Sequence, residues 1–306
     1  MKKQKLDLVK DPIPNLIIKM AVPVSVGFFF HTMFNVVDTY FASQINSVAV
    51  AAITITFPIF FMIIAISSGT RTGATALIAN AEGANNKVLA KQYAIQTISF
   101  SIVAAIIIMI IGLITAPYLF KILHAEGEYF NFAIQYTNIL LYGCLFIILD
   151  STPTAGLNAV GDTKTYGRVF IIGFFINLIL DPLFIYGYGP IPPMGVEGIA
   201  YATIFAEFVA TLYVFYRVKK MTSYFDNITL IDFLPNFKNQ YEIAKQAFPA
   251  SINMFAVGAG FFIITFFVSF FPTPETSDVS IAAYGIAIRI EQIILLPAIG
   301  LNFACL

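Results

Sequence analysis

Residues 48–70 of the chain read VAVAAITITFPIFFMIIAISSGT, a stretch that contains no charged side chain. A helix needs about 20 consecutive, predominantly apolar residues to cross the hydrocarbon core of a bilayer. This stretch is therefore long enough and apolar enough to span a membrane. It predicts that lipid is the solvent for at least this part of the protein.

The composition of the whole chain supports that prediction. Of its 306 residues, 58% are hydrophobic and 11% are charged, whereas a soluble domain carries about 25% charged residues. Lys plus Arg equals Asp plus Glu at 17 each, so the basic excess of a nucleic-acid-binding protein is missing. The two cysteines, Cys144 and Cys305, are too few for a disulfide framework or a cysteine metal cluster. These values exclude a water-soluble enzyme and a nucleic-acid binder.

Apolar stretches of similar length recur along the chain and predict eight transmembrane helices. Their approximate bounds are 15–41, 48–70, 93–114, 131–153, 166–187, 197–216, 246–271 and 279–301. A longer polar connection, about 217–244, separates the first six from the last two. We therefore predict an all-α polytopic membrane protein, with an N-terminal six-helix lobe over residues 1–220. Residues 221–306 would form a cytoplasmic connector and the first two helices of a second, incomplete lobe.

The basic residues predict the orientation of these helices in the membrane. If the N-terminus lies inside the cell, all 17 Lys and Arg residues except Lys121 and Arg289 fall in the inner segments. Membrane proteins carry an excess of Lys and Arg in their cytoplasmic segments. We therefore expect a multi-pass protein of the cytoplasmic (inner) membrane with a cytoplasmic N-terminus.

A short pattern occurs twice in the chain. Lys-x-Ala-x-Pro-x-Ser begins at Lys19 in the first predicted span and again at Lys245 in the seventh. Since six helices separate the copies, both cross the membrane in the same direction, as in transporters built from parallel repeats. The pattern predicts two parallel six-helix repeats. Only two helices of the second repeat are present, so we expect the chain to be a fragment of a longer protein.

Polar residues inside the predicted spans are functional candidates, because a charge at the bilayer centre costs about 2.5 kcal/mol or more. Asp38 and Asp181 lie at matching depths in the first and fifth spans, and Thr203 in the sixth falls at a similar depth. Asn177 precedes Asp181 by one helical turn and shares its face. These oxygens suit a hard monovalent cation such as Na⁺, or a carboxylate pair that shares a proton. In the alternative interpretation, the two acids only hydrogen-bond to the backbone of the outer loops.

A second group of candidates is Asn35, Asp150, Glu207 and Arg289. Asn35 shares a helix face with Asp38, and Glu207 lies one turn beyond Thr203. Asp150 could instead cap a broken helix. Arg289 cannot face Glu291, two residues away on the same helix, so it needs another acid or a water-lined cavity. No GxxxxGK[ST], HExxH or GxSxG motif occurs, so the sequence does not predict an enzyme or an ATP-driven pump.

Several segments resemble the motifs of the MATE (multidrug and toxic compound extrusion) transporters, in the same order. Residues 35–41, NVVDTYF, resemble that family's first-helix motif. Residues 161–164, GDTK, followed by Asn177-x-x-x-Asp181-Pro182, resemble its helix 4–5 loop and helix 5. Residues 198–203 and 282–286 resemble the starts of its helices 6 and 8. The resemblance covers essentially all 306 residues, and the family's helices 9–12 have no counterpart.

The resemblance implies an antiporter that exports small organic cations, including drugs, in exchange for Na⁺ or H⁺. It implies no cofactor beyond that ion, and no obligate protein partner is evident. As in the DinF-like and archaeal branches, the ion would bind in the first lobe, at Asp38, Asn177, Asp181 and Thr203. The NorM-like branch carries a second-lobe glutamate where this chain has Val257. Two alternatives stay open: a lipid-linked oligosaccharide flippase, whose phosphate would need more basic residues than Arg289, and an inactive truncated membrane protein.

Overall fold

The computed structural model describes residues 13–162, 164–270 and 277–305, most of which are helical. The helices are α1 (Ile13–Ile45), α2 (Ser47–Gly83), α3 (Lys87–Ile122), α4 (Gly127–Leu149), α5 (Ser151–Ala159), α6 (Lys164–Tyr186), α7 (Val196–Met221), α8 (Phe237–Phe270) and α9 (Ser277–Cys305). They cover the eight predicted spans, the fourth of which is divided into α4 and α5. The predicted all-α fold is confirmed.

Six segments of the described chain are long and apolar enough to cross a membrane. They are α2, α3, α4 together with α5, most of α6, α7 and α8. Helices α1 and α9, of 33 and 29 residues, occupy the positions of the first and the last predicted span. The chain is therefore a multi-pass membrane protein.

Several helices are longer than the apolar stretches that predict them. Helix α2 continues from residue 70 to Gly83, and α8 begins at Phe237 instead of residue 246. Side chains of asparagine mark two of the boundaries: Asn46 accepts a hydrogen bond from the Ala49 N–H at 2.7 Å, and Asn86 accepts one from the Leu89 N–H at 3.1 Å. Such caps satisfy N–H groups that have no partner within the helix.

The connector between α7 and α8 spans residues 222–236, which is shorter than the predicted 217–244. It contains a single 3₁₀ turn, Leu230–Phe233. The buried side chain of Gln96 on α3 donates to the carbonyls of Asp232 and Leu234, both at 2.9 Å. The same side chain accepts a hydrogen bond from the Asn236 N–H at 2.8 Å. The connector is thereby fixed to one end of α3.

Helices α8 and α9 pack against α2 and α1 at very short distances. A Cβ atom on Gly73 of α2 would lie 2.7 Å from the backbone nitrogen of Ala247 in α8. A Cβ atom on Gly285 of α9 would lie 2.0 Å from the hydroxyl oxygen of Thr54 in α2. The glycines therefore allow the two helices after the connector to contact the first two helices of the chain. The division into a complete and an incomplete lobe stays a prediction.

The predicted repeat also stays a prediction. The side chains of Lys19, Ala21 and Pro23, which form its first copy, lie outside the described residues. In the second copy, Ser251 is buried, and its hydroxyl donates to the Ala247 carbonyl at 3.0 Å.

Candidate functional site

Three helices bring the four principal candidates together in a group that we call the carboxylate cluster: Asp38 of α1, Asn177 and Asp181 of α6, and Thr203 of α7. Each of these residues is at most 4% exposed. The Asn177 amide donates to Asp181 Oδ1 at 3.1 Å. The Thr203 hydroxyl lies 3.4 Å from Asp38 Oδ2 and 3.0 Å from the Ile199 carbonyl oxygen, so these two acceptors share its single hydrogen. The carboxyl groups of Asp38 and Asp181 also lie close enough to affect each other electrostatically.

Local sequence explains why these side chains converge. Asn177 and Asp181 are four residues apart on α6 and therefore share a face. Helix α7 approaches α6 at Gly198, where a Cβ atom would lie 2.7 Å from the carbonyl carbon of Phe184. This contact brings Thr203, which follows Gly198 by five residues, to the cluster. Pro182 lies inside α6 and has no N–H, so the Leu178 carbonyl loses its helical donor.

Three oxygens of the carboxylate cluster are buried and make no hydrogen bond within the described residues. They are Asp38 Oδ1, Asn177 Oδ1 and Asp181 Oδ2. Buried polar atoms are normally hydrogen-bonded, and a buried carboxylate is costly without a partner. Carboxylate and amide oxygens are ligands for hard cations. The arrangement can accommodate a monovalent cation or a proton shared by the two carboxyl groups. The hydrogen bonds to the two carboxyl groups come from the side chains of Asn177 and Thr203 instead of the backbone of a loop.

Tyr136 of α4 also belongs to this site, and it is not among the residues predicted from the sequence. Its side chain is buried and interacts with Asp38, Asp181 and Thr203. The only signal for Tyr136 in the sequence is that its hydroxyl group is polar and lies within a predicted apolar span. Its contribution depends on the rotation of α4 about its axis, which hydropathy does not determine.

Arg289 of α9 lies next to the carboxylate cluster and is 4% exposed. Its Nε donates to the hydroxyl of Thr39 at 2.6 Å, and its Cζ lies 4.2 Å from the ring centroid of Phe57. The guanidinium also attracts the carboxyl group of Asp38 electrostatically. Asp38, on the first helix of the chain, is thus the acid that acts most strongly on Arg289.

The remaining candidates do not join the carboxylate cluster. The Asn35 amide donates to the His31 carbonyl of its own helix at 2.9 Å. Glu207 and Asp150 interact with each other, and Asp150 interacts with Arg71 of α2. As predicted, the helix is interrupted at Asp150, between α4 and α5. The Asp150 side chain, however, caps neither helix. Glu207 and Asp150 thus form a second acidic pair in the electrostatic sense only, with Arg71 acting on Asp150.

Asp162, which lies in the motif 161–164 before α6, stabilises the start of that helix. Asp162 accepts hydrogen bonds from the N–H groups of Lys164 and Thr165 at 3.1 and 3.2 Å, and forms an ion pair with Arg217 of α7 at 3.2 Å. Partial burial disfavours the charged form, but the hydrogen bonds from Thr165 and the Arg217 guanidinium outweigh it and lower the pKa of Asp162. Asp162 thereby fixes the start of α6, the helix that carries Asn177 and Asp181. Among the described residues, no group of three or more His, Cys, Asp or Glu could hold a metal ion.

Comparison with known proteins agrees with this fold. A probable multidrug resistance protein, YoeA of Bacillus subtilis, is 30% identical over 84% of this chain and 55% of its own length. An FAD transporter of Shewanella oneidensis is 30% identical over 68% of this chain and 46% of its own length. The solved structure of a MOP superfamily transporter from Pyrococcus furiosus has a TM-score of 0.79 at 28% identity. That alignment covers 99% of this chain and 66% of the other.

The two curated relatives are longer than this chain, which spans about half of their length. The family profile of MatE matches residues 23–183, which include Asp38, Asn177 and Asp181. This match covers more than half of the chain and includes the helices that build most of the carboxylate cluster. The chain belongs to the MatE family of multi-pass membrane transporters.

Proposed function

We propose that this chain is the cation-coupling part of a secondary active multidrug exporter, which exchanges small organic cations for Na⁺ or H⁺ across the cytoplasmic membrane. The observation that carries the proposal is the buried carboxylate cluster with its three unpaired oxygens. The proposal is supported by the relatives named as multidrug resistance or multidrug export proteins. The distribution of Lys and Arg favours a cytoplasmic N-terminus. Ion binding by the carboxylate cluster does not depend on this orientation.

The cluster couples ion and cargo because its energy depends on occupancy. An unpaired carboxylate buried in the membrane is costly, and a bound cation or proton lowers that cost. A conformation that buries the cluster is therefore favoured when the ion is bound, and one that opens it to water is favoured when the ion has left. A ligand shifts such an equilibrium only through its different affinities for the two states. Export follows when the ion and the cationic cargo favour opposite states.

The relative named as an FAD transporter introduces a second candidate, the export of an anionic dinucleotide. An anionic cargo requires basic groups along its path. This requirement counts against a dinucleotide as it does against the phosphate-linked lipid of a flippase. Here Asp38, Asp181, Asp150 and Glu207 are four acids at the membrane-spanning helices, against the two bases Arg71 and Arg289 that act on them. This excess of acids favours cationic cargo.

The test is the efflux of a fluorescent organic cation from proteoliposomes that contain the purified chain. We expect extrusion by the original chain and a loss of at least about tenfold in Asp38→Asn, because the variant removes a charge that holds the ion. Asp226→Asn is the matched control, since Asp226 is exposed on the connector. Separate Na⁺ and pH gradients identify the coupling ion.

Equal extrusion by Asp38→Asn and the original chain would contradict the proposed coupling site. If none of the three proteins extrudes the cation under either gradient, the proposal that this chain exports drugs is wrong, and a membrane protein without transport activity becomes the better description.

A further inference from the structure

The proposed function does not by itself explain the buried guanidinium of Arg289. A buried arginine is costly inside a membrane unless opposite charge compensates it. One of its terminal nitrogens, Nη1, is buried and makes no hydrogen bond within the described residues. Its Nε bond goes to a neutral hydroxyl, that of Thr39, and its planar face covers a neutral ring, that of Phe57. Its compensation must therefore come through space from an acid.

Two groups act electrostatically on Arg289: the carboxyl group of Asp38 on α1 and the phenol of Tyr136 on α4. Asp181 of α6 acts in turn on Asp38, and the Thr203 hydroxyl of α7 lies 3.4 Å from Asp38 Oδ2. Helix α2 contributes the neutral ring of Phe57. With both acids ionised, this group contains two negative charges and one positive charge. A single negative charge is therefore in excess.

We propose that Arg289 is a fixed internal counter-charge that limits the carboxylate cluster to one monovalent cation or one proton. This inference rests on the proposed function, because it states how much positive charge the coupling site binds in each transport cycle. One bound monovalent cation makes the group neutral. A divalent cation, or a second monovalent one, would leave a net positive charge in a low-dielectric environment, which is unfavourable.

The contacts of the guanidinium explain why it stays in place. Guanidinium is a delocalised cation that stacks on aromatic rings and does not deprotonate in proteins. The Thr39 hydroxyl, at 2.6 Å, fixes one edge of the group and the Phe57 ring, at 4.2 Å, covers its face. The unpaired oxygens of Asn177 and Asp181 lie on α6 and remain available to an entering ion. Arg289 thus neutralises one carboxylate without occupying the ligands of the ion.

The experiment titrates the full purified chain in lipid nanodiscs with Mn²⁺ and follows free Mn²⁺ by its electron paramagnetic resonance signal. Mn²⁺ accepts the same carboxylate and amide oxygens but carries a double charge. Subtracting the titration of Asp38→Asn removes binding to other acids. We expect no Asp38-dependent Mn²⁺ binding by the original chain, and one Mn²⁺ per chain for Arg289→Gln.

Arg289→Lys is the matched control, because it retains the positive charge and should bind Mn²⁺ at least about tenfold more weakly than Arg289→Gln. Arg289→Met provides a second neutral variant if Arg289→Gln does not fold. Asp38-dependent Mn²⁺ binding by the original chain would overturn the proposal, as would equal binding by folded neutral and Lys variants. The assay does not require transport, so its outcome is independent of the efflux test of the proposed function.

Discussion

The Thr203 hydroxyl is shared between Asp38 Oδ2 at 3.4 Å and the Ile199 carbonyl oxygen at 3.0 Å, and its effect on ion binding is testable. Thr203→Val keeps the shape of the side chain and removes the hydroxyl. We expect the cation concentration for half-maximal efflux to rise about two- to tenfold, since a hydrogen bond contributes about 0.5–1.5 kcal/mol. The measurement is efflux against the concentration of the coupling ion.

Thr211→Val is the matched control for this prediction. Thr211 lies two turns later on α7, is also buried, and donates to the Phe146 carbonyl at 3.0 Å. It makes no described contact with the carboxylate cluster. If both variants shift the cation dependence equally, a general effect on α7 explains the change and Thr203 has no specific part in ion binding.

The four principal residues of the site could be predicted because depth and helical spacing are properties of the sequence. Asp38 and Asp181 lie at matching depths, and Asn177 shares a face with Asp181. The contribution of Arg289 could not be predicted in the same way. Its position next to Asp38 depends on which face of α9 packs against α1, and an apolar helix carries almost no signal for its rotation.

At the scale of helices, the contact between Gly73 of α2 and Ala247 of α8 leads to a prediction about stability. A Cβ atom there would lie 2.7 Å from the backbone nitrogen of Ala247, and backbone cannot move aside as a flexible side chain does. We expect Gly73→Ala to lower the stability by about 1–3 kcal/mol through overpacking. The measurement is the thermal unfolding of the purified protein in detergent.

Gly260→Ala on α8 is the control for this contact. A Cβ atom on Gly260 would have no atom within 4 Å. Alanine is favoured over glycine in a helix by up to about 1 kcal/mol, so we expect an unchanged or slightly higher unfolding temperature. If both variants are destabilised equally, the prediction is wrong, and the close packing of α2 on α8 does not depend on the missing Cβ atom of Gly73.

The existence of the helices was easier to predict than their ends. Hydropathy reports the segment inside the bilayer, and all eight predicted spans fall on helices, although six segments of the described chain meet the length and apolarity of a membrane span. It does not report where a helix continues into water, as α2 does to Gly83, or begins before the bilayer, as α8 does at Phe237. Those ends depend on caps such as Asn86 and on tertiary contacts such as those of Gln96.

At the scale of the whole molecule, Gln96 helps to fix the connector between α7 and α8 to α3, together with Lys91 and Ser99, which donate to the carbonyls of Asp226 and Phe233. Its three hydrogen bonds to Asp232, Leu234 and Asn236 fix the connector to α3. We expect Gln96→Ala to raise the rate of amide hydrogen exchange across residues 222–236 by about tenfold or more, since local opening controls this exchange. Gln92→Ala, which alters an exposed glutamine one turn earlier, should leave the exchange unchanged. An unchanged rate in both variants would assign the order of the connector to other contacts.

The contacts between the two parts of the chain also constrain how such a protein can change during evolution. Thr54 faces Gly285, Gly73 faces Ala247, and Thr39 holds Arg289. Each pair joins residues that are far apart in the chain, so a recombination event between α7 and α8 would replace one member of all three pairs together. A chimera with α8 and α9 from a distant relative would then combine mismatched surfaces. Compatible halves should be inherited as a unit, and substitutions at these positions should occur in pairs.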